Sequence, residues 1–361
     1  MKAIIHIGTT KTGSTTIQTF LRKNRRALKK RSIFTPTTRT GGGLHSHACL
    51  PAATYLFDEW EKRHPRFATG INTVAQQDRL RKKLCREIET NCRKDDTAIF
   101  SCEALCYFSH QEVEQVKKFL SPLFDDITIV LYLRRQPEWL ISIYAQRVKK
   151  GNSHSFDNFL NEYPKDERLL DYRRLIENWS SIFGKDKIKV RVFDRKEFHN
   201  NDLLDDFAHT VGLEMTGLLR TEDTNTSFGS AETEFLRLLN KRGRRNLELS
   251  LAKMFLPRTG EKAYFLNRQE AQRILDQCRE GNDWVAREYC GRDKLFSEDV
   301  SMYPEEVSPH HLTVERSAEI ADQLLRFQRN VFFEVPKRYI LQTVTNWPLV
   351  GPFCRWLTRH S

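Results

Sequence analysis

A glycine-rich turn near the start of the chain combines hydroxyl side chains with one lysine. The sequence from Lys2 reads KAIIHIGTTKTGSTTIQTFL, and Gly8 and Gly13 have the spacing of a nucleotide-phosphate loop. In that loop the second glycine is followed by Lys and then Ser or Thr. Here Ser14 stands in the lysine position, and Lys11 precedes the second glycine. The residue order therefore predicts an anion site that differs from that of a metal-dependent kinase.

A turn of this kind, between a strand and a helix, directs backbone N–H groups and the positive end of the helix dipole at one point. Hydroxyl groups and the lysine charge add to it, so the residues predicted to bind the anion are Lys11, Thr12, Gly13, Ser14, Thr15 and Thr16. No acidic residue typical of a magnesium site follows a predicted strand, because ITIVLYLRR ends in arginines. We therefore expect a site that works without a metal.

A second group of residues occurs in LYLRRQPEWLISIYAQ. Arg134 follows the end of a predicted strand, at the edge where α/β sheets bind ligands. Ser142 comes eight residues later, about two turns into the next predicted helix. Arg134 can bind a phosphate through two parallel hydrogen bonds, and Ser142 can donate to another oxygen. The alternative is an ordinary capped helix preceded by an exposed arginine.

The elements that must position these residues are four apolar, β-branched runs at residues 3–7, 97–101, 127–133 and 187–193. Helix-like segments separate the runs, a pattern typical of a parallel α/β sheet flanked by helices. One helix is predicted to leave the glycine loop directly, with Ile17, Phe20, Leu21 and Leu28 on its buried side. From about residue 231 to residue 290 the periodicity is helical. We expect a core over residues 1–230 and a helical extension with a C-terminal tail over residues 231–361.

The two groups of residues together resemble a known family. TKTGSTT followed by YLRRQPEWLISIY resembles the sulfotransferases that use 3′-phosphoadenosine 5′-phosphosulfate (PAPS). The resemblance extends to about residue 240 through VRVFDRKEFHNNDLLDDFAHTVGLE and NTSFGSAETEFLRLLN, and more loosely through NDWVAREYCGRDKLF. The Arg-Lys-Gly motif of the small-molecule enzymes is not evident. This departure favours the carbohydrate-modifying or bacterial branches.

The resemblance implies a P-loop-type fold, a 5′-phosphosulfate loop around Lys11, and a 3′-phosphate held by Arg134 and Ser142. Lys11 would neutralise the leaving group as the sulfuryl group moves to an acceptor hydroxyl or amine. The acceptor would be a saccharide or a glycolipid. The alternatives left open are a P-loop nucleotide kinase and a protein that binds nucleotides or polyanions without catalysis.

Sulfuryl transfer requires a base that accepts the proton of the acceptor. Glu103 is the first candidate, because it follows the predicted strand at residues 97–101 and should face the edge that carries the loop. The resemblance agrees, since related enzymes use a glutamate. Glu103 could instead cap a helix that starts near Ala104. His47, and less so His45, are the rival bases in GGGLHSHACL.

The 361 residues carry a formal net charge of +12, which favours an anionic partner. No nucleic-acid-binding signature accompanies the charge, and we expect no nucleic-acid partner. Neither a signal peptide nor an apolar stretch of about 20 residues is evident. The expected location is cytoplasmic, with peripheral membrane contact by the aromatic and basic tail as an open alternative. The eight cysteines lack metal-ligand spacing and are expected to be buried thiols.

Overall fold

The structure is a computed structural model. It describes residues 1–38, 48–57, 71–162, 170–221, 228–243, 256, 263–307, 312–313, 315–320 and 322. The described residues form two compact units. The first unit draws on Met1–Leu140, Glu162–Thr224 and Arg268–Tyr303, and the second unit draws on Ile141–Asn161, Asn225–Asn267 and Pro304–Ser361. The division expected from the sequence, at residue 230, stays a prediction.

The first unit contains a parallel sheet of five strands. The strands are β1 Lys2–His6, β2 Ile33–Phe34, β3 Thr97–Ser101, β4 Asp126–Leu133 and β5 Ile188–Val192. Their order across the sheet is β2-β3-β1-β4-β5, and every neighbouring pair is parallel. The sheet confirms the predicted α/β class and the four predicted strands. The two-residue strand β2 was not predicted, because so short a strand leaves no detectable periodicity.

The helices of the described chain, in sequence order, are α1 Ser14–Lys23, α2 Arg25–Lys29, α3 Cys49–Thr54, α4 Val74–Asn91, α5 His110–Leu120, α6 Gln136–Lys149, α7 Phe156–Glu162, α8 Tyr172–Phe183, α9 Leu203–Val211, α10 Ser230–Lys241 and α11 Arg268–Val285. A 3₁₀ helix, Glu103–Tyr107, follows β3. The predicted helices after the glycine loop and after Arg134 are confirmed. Helices α10 and α11 account for the helical periodicity of the C-terminal part.

Helices α1 and α9 pack together over the sheet, where the buried side chains form one apolar cluster. The predicted apolar face is confirmed for Ile17, Phe20 and Leu21, which are fully buried on α1. The single helix predicted through this segment is interrupted at Asn24, so Leu28, which is also fully buried, lies on α2 instead. Helix α8 packs against β4, β5 and α5. Removing this apolar surface from water is the main term that holds the helices against the sheet.

A buried carboxylate ties β4 and β5 to α9. Asp206 accepts hydrogen bonds from the Tyr132 hydroxyl at 2.8 Å and from Arg191 Nε at 3.0 Å. The backbone N–H of His199 donates to the same carboxylate at 2.9 Å. Asp206 is fully buried. Since removing one partner would leave an uncompensated charge in the interior, loss of the Arg191 contact would destabilise the sheet edge that carries β5.

The described part of the second unit has an aromatic core and its own buried ion pair. The ring of Tyr144 lies 5.0 Å from those of Phe156 and Phe265, centroid to centroid. The Glu232 carboxylate is fully buried and accepts from Arg316 at 2.6 Å. Within the second unit, these contacts join helices α6, α7 and α10 to residues nearer the C-terminus.

The cysteines within the described ranges are all free thiols. Cys49, Cys92, Cys102 and Cys106 are buried as predicted, whereas Cys85, Cys278 and Cys290 are half-buried. Burial raises the pKa of Cys49 and that of Cys92 to about 12. Among the described helices, none has both the length and the apolar composition to cross a bilayer.

Candidate functional site

The loop between β1 and α1 has an unusual backbone. Three of its residues adopt left-handed dihedral angles, with φ of 76° at Gly8, 68° at Lys11 and 74° at Gly13. A lysine in this region is uncommon, because its Cβ crowds the backbone. Gly13 is the N-cap of α1 and offers no side-chain cap. Of the first N–H groups of α1, that of Thr16 donates to the Gly13 carbonyl at 2.9 Å, which leaves those of Ser14 and Thr15 for an external acceptor.

The hydroxyl groups of the loop face different ways. Thr12 is fully buried, and its hydroxyl donates to the carbonyl of Thr9 at 2.5 Å. Ser14 is also buried, and its hydroxyl lies 3.5 Å from the same carbonyl. Thr15 is exposed and Thr16 is half-buried. Thr12 thus uses its proton to shape the loop, whereas the Thr15 and Thr16 side chains lie nearer the surface.

Arg134 reaches this loop from the carboxyl end of β4. Its Nη1 donates to the carbonyl of Lys11 at 3.1 Å, and its guanidinium carbon lies 5.5 Å from the ring centroid of Phe193. Burial lowers the pKa of Arg134, and the charge of Glu138 acts in the opposite direction. The ion pair that Glu138 makes, however, is with Arg135, at 2.7 Å.

No carboxylate in the described ranges lies within ion-pair distance of the Arg134 guanidinium. A desolvated cation is costly unless an anion or a full set of hydrogen bonds compensates it. The guanidinium is a planar donor that suits phosphate and sulfate oxygens. This combination of burial, charge and position is what an anion-binding site requires.

Arg135 has a different role, which its identity in the sequence did not reveal. Its guanidinium donates to the carbonyls of Ser297 and Asp299, both at 2.8 Å, and pairs with Glu138. These contacts hold residues 297–299 against the start of α6. The two adjacent arginines thus differ in their contacts. Arg134 has no carboxylate partner in the described chain, whereas Arg135 pairs with Glu138 and donates to two backbone carbonyls.

Glu103 lies directly against the glycine loop. A Cβ built on Gly8 would come within 2.9 Å of the Glu103 Cβ and 3.1 Å of its Cα. The Glu103 carboxylate accepts from Gln18 Nε2 at 3.1 Å, and the same amide lies 3.3 Å from the Ser101 carbonyl. The N-cap of the following 3₁₀ helix is Cys102, which makes no side-chain cap bond. Glu103 therefore stands at the loop, with an amide that orients its carboxylate.

Several residues that contact the loop, Arg134 or Glu103 carry no motif of their own. The Tyr107 hydroxyl lies 3.3 Å from Thr10 Oγ1, and Trp139 Nε1 donates to the Thr10 carbonyl at 2.9 Å. The Tyr172 hydroxyl donates to the carbonyl of Arg134. Of these residues, only Gln18 could have been identified from the sequence, since it lies one helical turn after Ser14 on α1. The others come from elements that only the fold brings to this edge.

Three predicted site residues are not joined to the loop by described contacts. Ser142 is half-buried on α6, in the part of that helix that belongs to the second unit. Its pairing with Arg134 stays a prediction. His45 and His47 lie outside the described residues. Among the described residues no group of three or more His, Cys, Asp or Glu side chains is placed to hold a metal ion.

Comparisons with known proteins find only limited similarity. No protein-family model matches the chain. An uncharacterized protein of Archaeoglobus fulgidus is 28% identical over 237 residues, which is 61% of this chain and 62% of that protein. The match therefore spans less than two thirds of the relative's own length.

Two solved structures are similar at low identity. One is a sulfotransferase from Alicyclobacillus acidocaldarius, with a TM-score of 0.40 and 14% identity over 68% of this chain and 98% of that one. The other is the sulfotransferase domain from the curacin biosynthetic pathway, with a TM-score of 0.37 and 16% identity over 77% of this chain and 98% of that one. TM-scores of this size do not support an inference about activity, so the function has to be inferred from the residues of the site.

Proposed function

We propose that the protein is a sulfotransferase that moves a sulfuryl group from PAPS to a hydroxyl group of a saccharide or glycolipid acceptor. The observation that carries the proposal is Arg134, a half-buried residue whose guanidinium has no carboxylate partner in the described chain and donates a hydrogen bond to the carbonyl of Lys11. It lies at the edge of the sheet where nucleotides bind in α/β folds. The motif resemblance supplies the identity of the donor.

The residues present suit such a donor. The 5′-phosphosulfate is assigned to the loop between Gly8 and Thr16, where the helix start and the Lys11 charge meet. The 3′-phosphate is assigned to Arg134, because a guanidinium offers two parallel donors to a phosphate. Lys11 is assigned to the oxygen that bridges sulfur and phosphorus, where negative charge grows as the bond breaks. These positive groups balance that charge, so the proposal includes no metal.

The transfer step balances with groups that the chain provides. The acceptor oxygen forms a bond to sulfur, while the bond between sulfur and the bridging phosphate oxygen breaks in line with it. The electron pair leaves with adenosine 3′,5′-bisphosphate, and the acceptor proton passes to the Glu103 carboxylate. Gln18 orients that carboxylate through the 3.1 Å hydrogen bond. Glu103 is thus proposed as the base.

The acceptor class rests on the resemblance and on charge. A formal net charge of +12 suits a polymer or glycolipid that becomes more acidic with each sulfate added. The cytoplasmic location expected from the sequence stays a prediction. A kinase would need the Gly-Lys-Ser/Thr order that this loop lacks, and no described contact favours it.

The test distinguishes recognition of the donor's 3′-phosphate from recognition of its 5′-phosphate. Binding of adenosine 3′,5′-bisphosphate and of adenosine 5′-phosphate is measured by calorimetry for the wild type and for Arg134→Ala. We expect the variant to weaken bisphosphate binding by about 2–5 kcal/mol, the usual loss for a buried charged contact. Binding of the monophosphate should change little, because it lacks the 3′-phosphate. Arg195→Ala, which alters an exposed arginine, is the matched control.

Glu103→Gln supplies the activity arm of the same experiment. We expect it to bind the bisphosphate as the wild type does and to lose about 10²–10⁴-fold in transfer of labelled sulfate from PAPS. Equal losses of both nucleotides in Arg134→Ala would contradict the 3′-phosphate assignment. Magnesium-dependent ATP binding by the wild type, with no affinity for the bisphosphate, would favour the kinase instead.

A further inference from the structure

A cavity of about 470 Å³ lies between the 3₁₀ helix Glu103–Tyr107 and helix α8, within the first unit. This volume falls in the range of small-ligand sites, about 300–1,000 Å³. Its lining includes Tyr107, Phe108, His110, Arg174, Asn178 and Ser181. None of these residues is assigned to the donor, although Tyr107 contacts the glycine loop.

The lining combines an apolar floor with a polar rim. Phe108 and Leu175 are buried, whereas His110, Arg174 and Ser181 are exposed at the rim. Exposed imidazole, guanidinium and hydroxyl groups offer donors and acceptors in several directions. A ligand with many hydroxyl groups and one apolar face matches such a lining.

Hydrogen bonds hold the rim groups in place. Asn178 Nδ2 donates to the carbonyl of Phe108 at 2.9 Å, and its Oδ1 lies 3.3 Å from His110 Nδ1. The Ser181 hydroxyl donates to the carbonyl of Asn178 at 3.2 Å. Asn178 therefore links the residues after the 3₁₀ helix to α8. A rim that is organised before a ligand arrives loses less entropy on binding.

Two hydrogen bonds connect residues of the cavity wall to the glycine loop and to the backbone of Glu103. Tyr107 lines the cavity, and its hydroxyl lies 3.3 Å from Thr10 Oγ1 of the glycine loop. Cys106 also lines the cavity, and its thiol donates to the carbonyl of Glu103 at 2.9 Å. A 3₁₀ helix rises about 2 Å per residue, so Tyr107 is only about 8 Å along the axis from Glu103. The cavity wall thus begins within two turns of the proposed base.

We propose that this cavity binds the acceptor, and that the acceptor is a saccharide whose hydroxyl groups bond to the rim around His110 and Asn178. The inference rests on the proposed function, because it requires the acceptor to reach Glu103 from a cavity whose wall begins about 8 Å along the 3₁₀ helix. A hydroxyl of the saccharide is the group that is sulfated, and its proton goes to the Glu103 carboxylate. A simple phenol, with one hydroxyl group, would form fewer hydrogen bonds with the rim than a saccharide with several hydroxyl groups.

Two neighbouring serines on α8 give a matched pair of variants. Ser181 lines the cavity and Ser180 does not, although both hydroxyls bond to carbonyls three residues earlier. Ser181→Phe adds a ring at the rim of the cavity, and Ser180→Phe adds the same ring at a position that does not line it. Arg174→Ala is a second variant, which trims the exposed rim without adding volume.

The assay uses labelled sulfate from PAPS, with cellobiose, maltose and chitobiose as saccharide probes and 4-nitrophenol as the non-sugar probe. We expect the wild type to sulfate at least one disaccharide. Ser181→Phe should lower kcat/KM for that sugar by about 10- to 200-fold, as misfit in a pocket does. Ser180→Phe should stay close to the wild type, and all variants should bind adenosine 3′,5′-bisphosphate equally.

Other outcomes would overturn the inference in distinct ways. Equal activity of Ser180→Phe and Ser181→Phe, with an unaltered Arg174→Ala, would place the acceptor elsewhere. Sulfation of 4-nitrophenol alone, or of no probe by a wild type that binds the bisphosphate, would refute the saccharide class. A wild type that does not bind the bisphosphate would refute the proposed function itself, and the acceptor site with it.

Discussion

The close approach of Glu103 to the glycine loop can be tested by adding one methyl group. Gly8 has a φ of 76°, and an added Cβ would lie 2.9 Å from the Glu103 Cβ and 3.1 Å from its Cα. The second atom belongs to the backbone, so rotation of a side chain cannot relieve the contact. Gly8→Ala must therefore either move the 3₁₀ helix or distort the loop.

The expected cost has two parts. A left-handed alanine costs about 1–2 kcal/mol relative to glycine. Overpacking against backbone adds about 1–3 kcal/mol. Gly212 isolates the first part, because its φ is 71° and an added Cβ would meet nothing within 4 Å. Gly8→Ala should thus lose about 2–5 kcal/mol, and Gly212→Ala only about 1–2 kcal/mol.

Urea denaturation of the wild type and the two variants measures the difference. The free energy of unfolding is taken from the midpoint and slope of each transition. Because both glycines lie in the first unit, the comparison is made on one transition. If Gly8→Ala proves no more destabilising than Gly212→Ala, Glu103 does not press on the loop, and its assignment as the base loses its geometric support.

Two further predictions concern the frame around the site. Gln136→Leu should lower the free energy of unfolding, measured by urea denaturation, by about 1–3 kcal/mol. The reason is that the buried Asn282 amide would lose its two hydrogen bonds to the Gln136 amide, of 2.8 and 3.1 Å. The exchanged double variant, Gln136→Asn with Asn282→Gln, should recover part of that loss, and a double variant no better than Gln136→Leu would argue against the pair. Burial raises the pKa of Glu87, but hydrogen bonds from Thr37 and its neighbour lower it more, so the pKa lies below the ordinary value. The stability that this carboxylate adds is present above about pH 4.3 and is lost as the pH falls through the folded-state pKa. The difference in free energy of unfolding between the wild type and Glu87→Gln should therefore become smaller from about pH 7 to about pH 3. A difference that does not change with pH would contradict the lowered pKa of Glu87.

The positions of the candidate residues along the strands could be predicted well. Arg134 and Glu103 each follow a β-branched run, and carboxyl ends of parallel strands meet at one edge of a sheet. The structure accordingly places Arg134 Nη1 at 3.1 Å from the Lys11 carbonyl and Glu103 against Gly8. The local sequence pattern was sufficient to predict these positions, because neighbouring residues determine the hydrophobicity of a strand and the point where it ends.

The partners of those residues could not be predicted in the same way. Arg134 and Arg135 are chemically identical neighbours, yet Arg135 is used by residues 297–299, which lie far along the chain. Thr12 looks like a ligand donor in the motif, but its hydroxyl is directed at the Thr9 carbonyl. Such choices depend on which distant groups compete for each hydrogen bond.

The amino-acid order by itself determined the parallel sheet, the glycine-rich turn that leads into a helix, and the position of the Lys11 charge ahead of that helix. These features arise from contacts between near neighbours and from the burial of continuous apolar runs. Only the tertiary structure decided that Arg134 would be half-buried without a described carboxylate partner and that a cavity would be lined by the end of the 3₁₀ helix that begins at Glu103. Desolvation and cavities are properties of packing between distant segments, and no local pattern encodes the space that those segments leave.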